Sequence, residues 1–105
     1  MKMIVAIVRP EMSRTVKDAL KDAGINGMTM FPVHGRGAQS GINFTTRTGK
    51  FCIDEIEKVM MEIVVEDSQK ELAVDVIMKS ARTGRHGDGR IFILPVEESY
   101  KVFGE

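Results

Sequence analysis

Apolar positions along the chain follow two periods, and together they predict a strand–helix–strand unit that occurs twice. Continuous apolar, β-branched runs predict buried strands, and apolar residues three or four apart predict helices. The predicted strands are residues 3–8, 28–33, 59–66 and 90–96. The predicted helices are residues 13–24 and 67–82, and the apolar stripe of the second is Leu72, Val76, Ile77 and Ala81.

This order of elements predicts an α+β fold of the ferredoxin-like type. Its βαββαβ arrangement gives a four-stranded antiparallel sheet with both helices on one face. Methionines stand on several of the strands, and some of them must point away from the helices. An apolar sheet face without helices needs cover, so we expect the chain to form a homo-oligomer.

The segment between the two units, residues 35–57, has no sustained period. Some 20 residues without regular structure are uncommon inside a compact domain, and such segments are usually functional or disordered. Ile42, Phe44 and Phe51 favour a hairpin that binds a partner. The alternative is a solvated, disordered loop.

Composition narrows the class of protein. A chain of 105 residues suits one domain, predicted as residues 1–105, and 15 basic against 15 acidic residues argue against a general nucleic-acid binder. The single cysteine, Cys52, excludes a disulfide framework within the chain. No apolar run is long enough to insert into a membrane and no signal peptide is visible, so we expect a cytoplasmic protein.

Two glycine-rich segments could bind an anion. Residues 83–90 combine three glycines with Arg85 and Arg90, and residues 35–41 offer flexible backbone donors beside Arg36. Backbone N–H groups that glycines leave accessible, with arginines nearby, suit phosphate. The alternatives are a helix end with a tight turn for the first segment and a flexible loop base for the second. The topology puts the two segments at opposite ends of the sheet in one chain, or facing each other across chains.

No catalytic constellation stands out in the sequence. There is no Ser-His-Asp or Cys-His arrangement and no evident pair of carboxylates for acid–base work. The residues therefore favour a binding module that is not an enzyme. A small phosphohydrolase using Arg90 and a purely structural oligomer are the competing hypotheses.

The glycine segments also carry a resemblance. The chain is similar over nearly its whole length to the PII nitrogen-regulatory signal-transduction proteins. The similar motifs are Met1-Lys2-Met3-Ile4, Arg9-Pro10, Gly24-Ile25-x-Gly27-Met28-Thr29, Gly35-x-Gly37-x-Gln39-x-Gly41, Lys58-Val59-x-x-Glu62-Ile63-Val64-Val65 and Thr83-x-x-x-Gly87-Asp88-Gly89-Arg90-Ile91-Phe92-Ile93.

The resemblance implies a trimer, homomeric or mixed with a second PII-type subunit, that binds ATP or ADP in the clefts between subunits. It also implies binding of 2-oxoglutarate together with Mg²⁺ and ATP. The implied nucleotide-binding residues are Ile7, Thr29, Gly35, Arg36, Gly37, Ala38, Gln39, Glu62, Val64, Gly87, Asp88, Gly89, Arg90 and Lys101. Those implied for 2-oxoglutarate are Gln39, Gly41, Lys58 and Gly87, with Gln39 also near the metal.

The resemblance makes residues 37–55 the T-loop, the segment that contacts a target, with Arg47 and Phe51 as target-binding residues. Residues 65–68 and 96–100 resemble the nitrogenase-associated branch of the family. The favoured target is therefore nitrogenase, and an ammonium channel is the alternative because Arg47 falls where channel-binding members have an arginine.

Several positions depart from the family pattern. Ala38 replaces a basic residue, and Lys101 and Phe103 replace two arginines, which alters contacts to phosphate and leaves the preference between ATP and ADP open. Phe51 replaces a tyrosine that some members have nucleotidylated, and phenylalanine has no hydroxyl to modify.

Overall fold

The computed structural model describes residues 1–36, 42–46, 49–53 and 55–104. Its strands and helices, in chain order, are β1 (Lys2–Val8), α1 (Ser13–Asp22), β2 (Thr29–Gly35), β3 (Ile42–Thr46), β4 (Gly49–Ile53), β5 (Ile56–Val65), α2 (Lys70–Ala81) and β6 (Gly89–Pro95). Short 3-10 turns, Pro10–Met12 and Asp67–Gln69, lead into the two helices.

Local chemistry accounts for where these elements begin and end. Arg9 is extended, as expected before a proline, and Pro10 opens the turn that leads into α1. Glu66 and Gln69 form a capping box ahead of α2. Gly24 follows α1 and Gly84 follows α2, each with a φ of 86°, the left-handed conformation that favours glycine.

The main sheet has four antiparallel strands in the order β2-β5-β1-β6. β5 and β1 are central, and β2 and β6 are the two edges. The predicted ferredoxin-like architecture is therefore confirmed.

The hydrophobic core lies between this sheet and the two helices. Ile4, Ala6, Val8, Met61, Ile63 and Val65 from the central strands pack with Val16 and Leu20 of α1 and with Ala73, Ile77 and Ala81 of α2. The predicted stripe of α2 is wrong at Leu72, which is 47% exposed. A period of 3.6 also fits the stripe of residues 73, 77 and 81, one position further on, and the small Ala73 lets the helix approach the sheet.

The opposite face of the sheet has no helix over it, and we call it the open sheet face. Because alternate residues of a strand point to opposite faces, burial of Ile4, Ala6 and Val8 places Met3, Val5 and Ile7 on this side. Register aligns those three residues with Met60, Glu62 and Val64 of β5 and with Arg90, Phe92 and Leu94 of β6. Val64, Phe92 and Leu94 are 43–48% exposed in the single chain.

The prediction that residues 35–57 lack regular structure is wrong in part. β3 and β4 pair antiparallel, from Ile42 opposite Ile53 to Thr46 opposite Gly49, as a separate two-stranded sheet. The hairpin hypothesis for this segment is therefore confirmed at the level of the backbone. The signal was weak because both strands are short and polar residues interrupt them.

Candidate functional site

Both glycine-rich segments begin or end at the same end of the sheet. β1 and β2 end there, and β5 and β6 start there, as the antiparallel pairing requires. The expectation of opposite ends within one chain is wrong. Instead the segments lie at opposite edges, on β2 and on β6, which are three strand spacings or about 14 Å apart.

The second glycine segment makes the turn between α2 and β6. Gly87 has a φ of 89° and Gly89 a φ of 125°, both in the region that favours glycine. At Gly89 an added Cβ would lie 1.8 Å from the carbonyl oxygen of Ile7. The turn therefore packs directly on the backbone of β1, and only glycine fits at that contact.

The carboxylate of Asp88 ties the turn together from inside. It accepts hydrogen bonds from the backbone N–H of Thr83 at 2.8 Å, from the backbone N–H of Gly84 at 2.9 Å and from the Thr83 hydroxyl. Nε of Arg9 donates a fourth bond, at 3.0 Å. Asp88 thus joins the end of α2 to the end of β1.

These bonds favour the charged form of Asp88. The hydrogen bond from the Thr83 hydroxyl holds the pKa of this carboxyl far below its usual range. Partial desolvation opposes this shift, but the bonds from Arg9 and from the two backbone N–H groups act with the Thr83 bond, and the pKa stays lowered. Asp88 is therefore an anion at neutral pH.

Two cations, Arg9 and Lys58, contact the carbonyl groups of the same turn. Nη2 of Arg9 donates to the carbonyl oxygen of His86 at 2.5 Å, and Nζ of Lys58 donates to that of Gly87. Partial burial lowers the pKa of Lys58, and the charge of Arg9 lowers it further, while Glu11 and Asp88 oppose this shift. Both cations are therefore held against carbonyl groups of the turn.

The remaining described residues of the predicted nucleotide site divide between the open sheet face and the sheet edges. Ile7, Thr29, Glu62, Val64 and Arg90 occupy positions of that face, with Glu62 opposite both Val5 and Thr29. The guanidinium of Arg90 lies 5.6 Å from the ring centroid of Phe92, within the range of a cation–π contact.

The other predicted positions lie away from the turn or outside the described residues. Gly35 and Arg36 stand at the β2 edge, and Lys101 is in the exposed C-terminal segment. The predicted residues Gly37, Ala38, Gln39, Gly41 and Arg47 lie outside the described residues, as does the side chain of Phe51. The predicted T-loop, 37–55, is described only in part.

Arg9 and Thr83 are site residues that the sequence pattern does not single out. Both belong to motifs of the sequence. Arg9 is half of the Arg-Pro pair, and Thr83 is the second residue after the end of α2. The available signal was the strand register. Since Val8 pairs with Gly89 and with Val59, the next residue along β1 must lie beside residues 88 and 58.

An open cleft adjoins the turn on the helix side of β6. Its lining residues are Ile7, Val8, Ile77, Met78, Ala81, Arg82, Asp88, Gly89, Arg90 and Ile91. Among the described residues no three His, Cys, Asp or Glu side chains are grouped so as to hold a metal ion. No helix in the part of the chain that the structure describes is long and apolar enough to cross a membrane.

Comparison with known proteins gives a match over almost the entire chain. A family model described as "Nitrogen regulatory protein P-II" matches residues 1–104. The chain is 53% identical over 102 residues, 97% of its length and 93% of the relative's, to "Nitrogen fixation nifHD region GlnB-like protein 1" of Methanothermobacter marburgensis. It is 46% identical, with the same coverage, to "Nitrogen fixation nifHD1 region GlnB-like protein 1" of Methanosarcina barkeri. It is 45% identical to "Nitrogen regulatory protein P-II" of Microchaete diplosiphon, over 97% of this chain and 91% of that one.

Proposed function

Because this chain belongs to the nitrogen regulatory protein P-II family, we propose that it senses ATP or ADP and 2-oxoglutarate and regulates a target by direct contact. Proteins of the family are regulatory, form trimers and bind nucleotides and 2-oxoglutarate. The observation that carries the proposal for this chain is the convergence of the glycine turn with Arg9 and Lys58 at one end of the sheet.

The turn has the parts that a phosphate needs. In the part of the chain that the structure describes, no acceptor is found for the N–H groups of His86 and Gly87, whereas the N–H of Asp88 closes a hydrogen-bonded turn over residues 86 and 87. Consecutive free N–H groups around a left-handed glycine form an anion-binding concavity. We assign Gly87, Asp88 and Gly89 to the phosphates through their backbone, and Arg90 through its guanidinium.

The rest of the nucleotide would lie along the open sheet face. Ile7 and Val64 offer apolar surface there, and Thr29 and Glu62 offer hydrogen-bonding groups. That combination of flat apolar contacts with a few polar groups suits a heterocyclic base. Gly35 and Arg36 at the β2 edge, with Gly37, Ala38, Gln39 and Lys101, complete the proposed set.

Lys58 is the proposed anchor for a carboxylate of 2-oxoglutarate. Its ammonium stands in a partly desolvated position beside Gly87, where a charge-assisted bond to a carboxylate is strong. Gln39, Gly41 and Gly87 are the proposed neighbours of that ligand. A Mg²⁺ ion would be held mainly by phosphate oxygens and Gln39, which fits its preference for few protein ligands and for oxygen donors.

A trimer accounts for the open sheet face and for the separation of the two glycine segments. Apolar side chains on that face gain cover from neighbouring copies, whether of this chain or of a second PII-type subunit. In such an assembly the β2 edge of one copy can stand beside the β6 edge of the next. Each binding cleft then belongs to two subunits.

The proposed output is contact between residues 37–55, the T-loop, and a target protein through Arg47 and Phe51. The names of two relatives refer to nitrogen-fixation gene regions, which favours nitrogenase as the target, and an ammonium channel is the alternative. A pull-down from nitrogen-fixing cells with and without 2-oxoglutarate tests this choice. Recovery of nitrogenase in a ligand-dependent manner is the expected result, and recovery of a channel alone would replace the target.

Isothermal titration calorimetry tests the sensing function directly. We expect the native oligomer to bind ATP, and to bind 2-oxoglutarate when Mg²⁺ and ATP are present. The proposal would be overturned if the native oligomer bound none of these ligands. The phosphohydrolase would be favoured instead if the protein hydrolysed phosphorylated substrates and Arg90→Ala abolished that activity. Against it stands Asp88, whose carboxylate accepts four hydrogen bonds and is therefore not free to act as a base.

A further inference from the structure

Asp88 is an anion inside a turn to which we assign the binding of phosphates. A carboxylate so close to a phosphate would weaken binding by charge repulsion if it faced the ligand. The side chain is instead 24% exposed and directs its oxygens at Thr83, Gly84 and Arg9. We infer that Asp88 is a positioning residue, which holds the turn in the conformation that binds phosphate and does not contact the nucleotide through its carboxylate.

The peptide units of the turn show how this positioning works. In a trans peptide the C=O of one residue and the N–H of the next point in opposite directions. The carbonyl of His86 points at Arg9, so the N–H of Gly87 points away from that cation. The carbonyl of Gly87 points at Lys58, so the N–H of Asp88 points away from it. Arg9 thereby fixes the direction of the Gly87 N–H, for which no acceptor is found among the described residues.

Asp88 controls this arrangement through Arg9. The guanidinium donates through Nε to Asp88 and through Nη2 to His86, so the carboxylate fixes the orientation of the group that holds the His86 peptide. The bonds to Thr83 and Gly84 fix the other end of the turn against α2. In the loop of residues 82–88, one side chain therefore restrains residues 83 and 84 directly and the peptide of residue 86 through Arg9. Such restraint matters because glycines inside the loop leave it little intrinsic order.

Asp88→Asn separates positioning from direct electrostatics because the two predict opposite signs. Asparagine keeps the size of the side chain but removes the charge and one acceptor, and its amide donors oppose the N–H groups of Thr83, Gly84 and Arg9. If the charge acted directly on phosphate, the variant would bind ADP more tightly. Positioning predicts that it binds ADP about tenfold or more weakly, as expected when charge-assisted hydrogen bonds that order the site are lost.

The measurement compares ADP, followed by calorimetry, with adenosine, followed by NMR titration. Asp88→Asn is expected to lower the affinity for ADP and to leave the affinity for adenosine unchanged, because only the phosphates contact the turn. Asp75→Asn is the matched control, since Asp75 is an exposed acid on α2 that pairs with Lys79. This control is expected to bind both ligands as the wild type does.

Thr83 provides a second pair of variants if Asp88→Asn does not fold. Thr83→Val removes the hydroxyl bond to Asp88 at constant shape, whereas Thr83→Ser keeps it. We expect Thr83→Val to lower the affinity for ADP by about threefold to tenfold, and Thr83→Ser to keep the wild-type affinity.

The inference rests on the proposed function, and the two fail differently. A wild type that binds neither ATP nor ADP would overturn both. A wild type that binds ADP, together with a folded Asp88→Asn variant of equal or tighter affinity, would overturn the positioning role alone. Equal affinities of Thr83→Val and Thr83→Ser would likewise overturn it.

Discussion

Gly89 is the residue at which the smallest substitution should have the largest effect on stability. A Cβ there would lie 1.8 Å from the Ile7 carbonyl oxygen, so backbone must move. We expect Gly89→Ala to lower the free energy of unfolding by more than about 3 kcal/mol. Urea unfolding at a fixed protomer concentration measures this change.

Two other glycines provide graded controls for that prediction. Gly84 has a φ of 86° but open space around it, so Gly84→Ala should cost about 1–2 kcal/mol of conformational strain alone. Gly27 has neither a positive φ nor a near neighbour, and Gly27→Ala should stay within about 0.5 kcal/mol. An equal effect at all three positions would contradict the packing argument.

Lys58 is the residue that should separate the two proposed ligands. We expect Lys58→Ala to abolish 2-oxoglutarate binding, because the carboxylate loses its partner charge, and to change ATP affinity much less. Calorimetry with each ligand checks this. Lys17→Ala, at an exposed position of α1, is the matched control and should bind both ligands normally. Equal loss of both ligands in Lys58→Ala would mean that Lys58 serves the nucleotide instead.

At the scale of an element, the turn between α2 and β6 makes stability depend on pH through Asp88. Its pKa is lower in the folded chain than the value of about 3.9 for an unfolded aspartate. A group whose pKa falls on folding stabilises the fold above its unfolded pKa, and this contribution is lost as the pH drops further. Unfolding free energy should therefore fall from about pH 4 downward.

The same measurement on Asp88→Asn isolates the contribution of the turn. Asparagine does not titrate, so the slope of unfolding free energy against pH below about pH 4 should be shallower than in the wild type. Parallel acid-unfolding curves for the two proteins would assign the acid sensitivity to other carboxylates.

Most of the elements could be predicted from the sequence, because a strand or helix that buries one face carries a regular pattern of apolar residues. Leu72 was misassigned because the period left two adjacent stripes on α2 open, and only packing against the sheet selected Ala73. In the site, the glycines and Lys58 were identified from residue type and resemblance. The role of Asp88 could not be, because it depends on donors from Arg9, 79 residues away along the chain.

At the scale of the whole molecule, the open sheet face should govern assembly. Phe92 lies on that face and is 45% exposed in the single chain, so Phe92→Glu would bury a charge between copies. We expect this variant to shift from trimer to monomer in sedimentation velocity, with its helical circular dichroism retained because Phe92 is outside the core.

Leu72 supplies the matched control for that shift. It is 47% exposed on α2, on the opposite side of the protomer, so Leu72→Glu makes the same chemical change away from the open sheet face. This variant should remain trimeric. Dissociation of both variants, or of neither, would argue against the open sheet face as the interface.

If each cleft joins the β2 edge of one copy to the β6 edge of the next, as we propose, the placement of the two glycine segments at opposite edges of one sheet has a genetic consequence. A chain damaged only at the β2 edge and a chain damaged only at the β6 edge are each defective alone. When the two are co-expressed at equal levels and assemble at random, about a quarter of the clefts receive both intact edges. Paired defective alleles should then restore partial regulation, as intragenic complementation, which two defects at the same edge should never do.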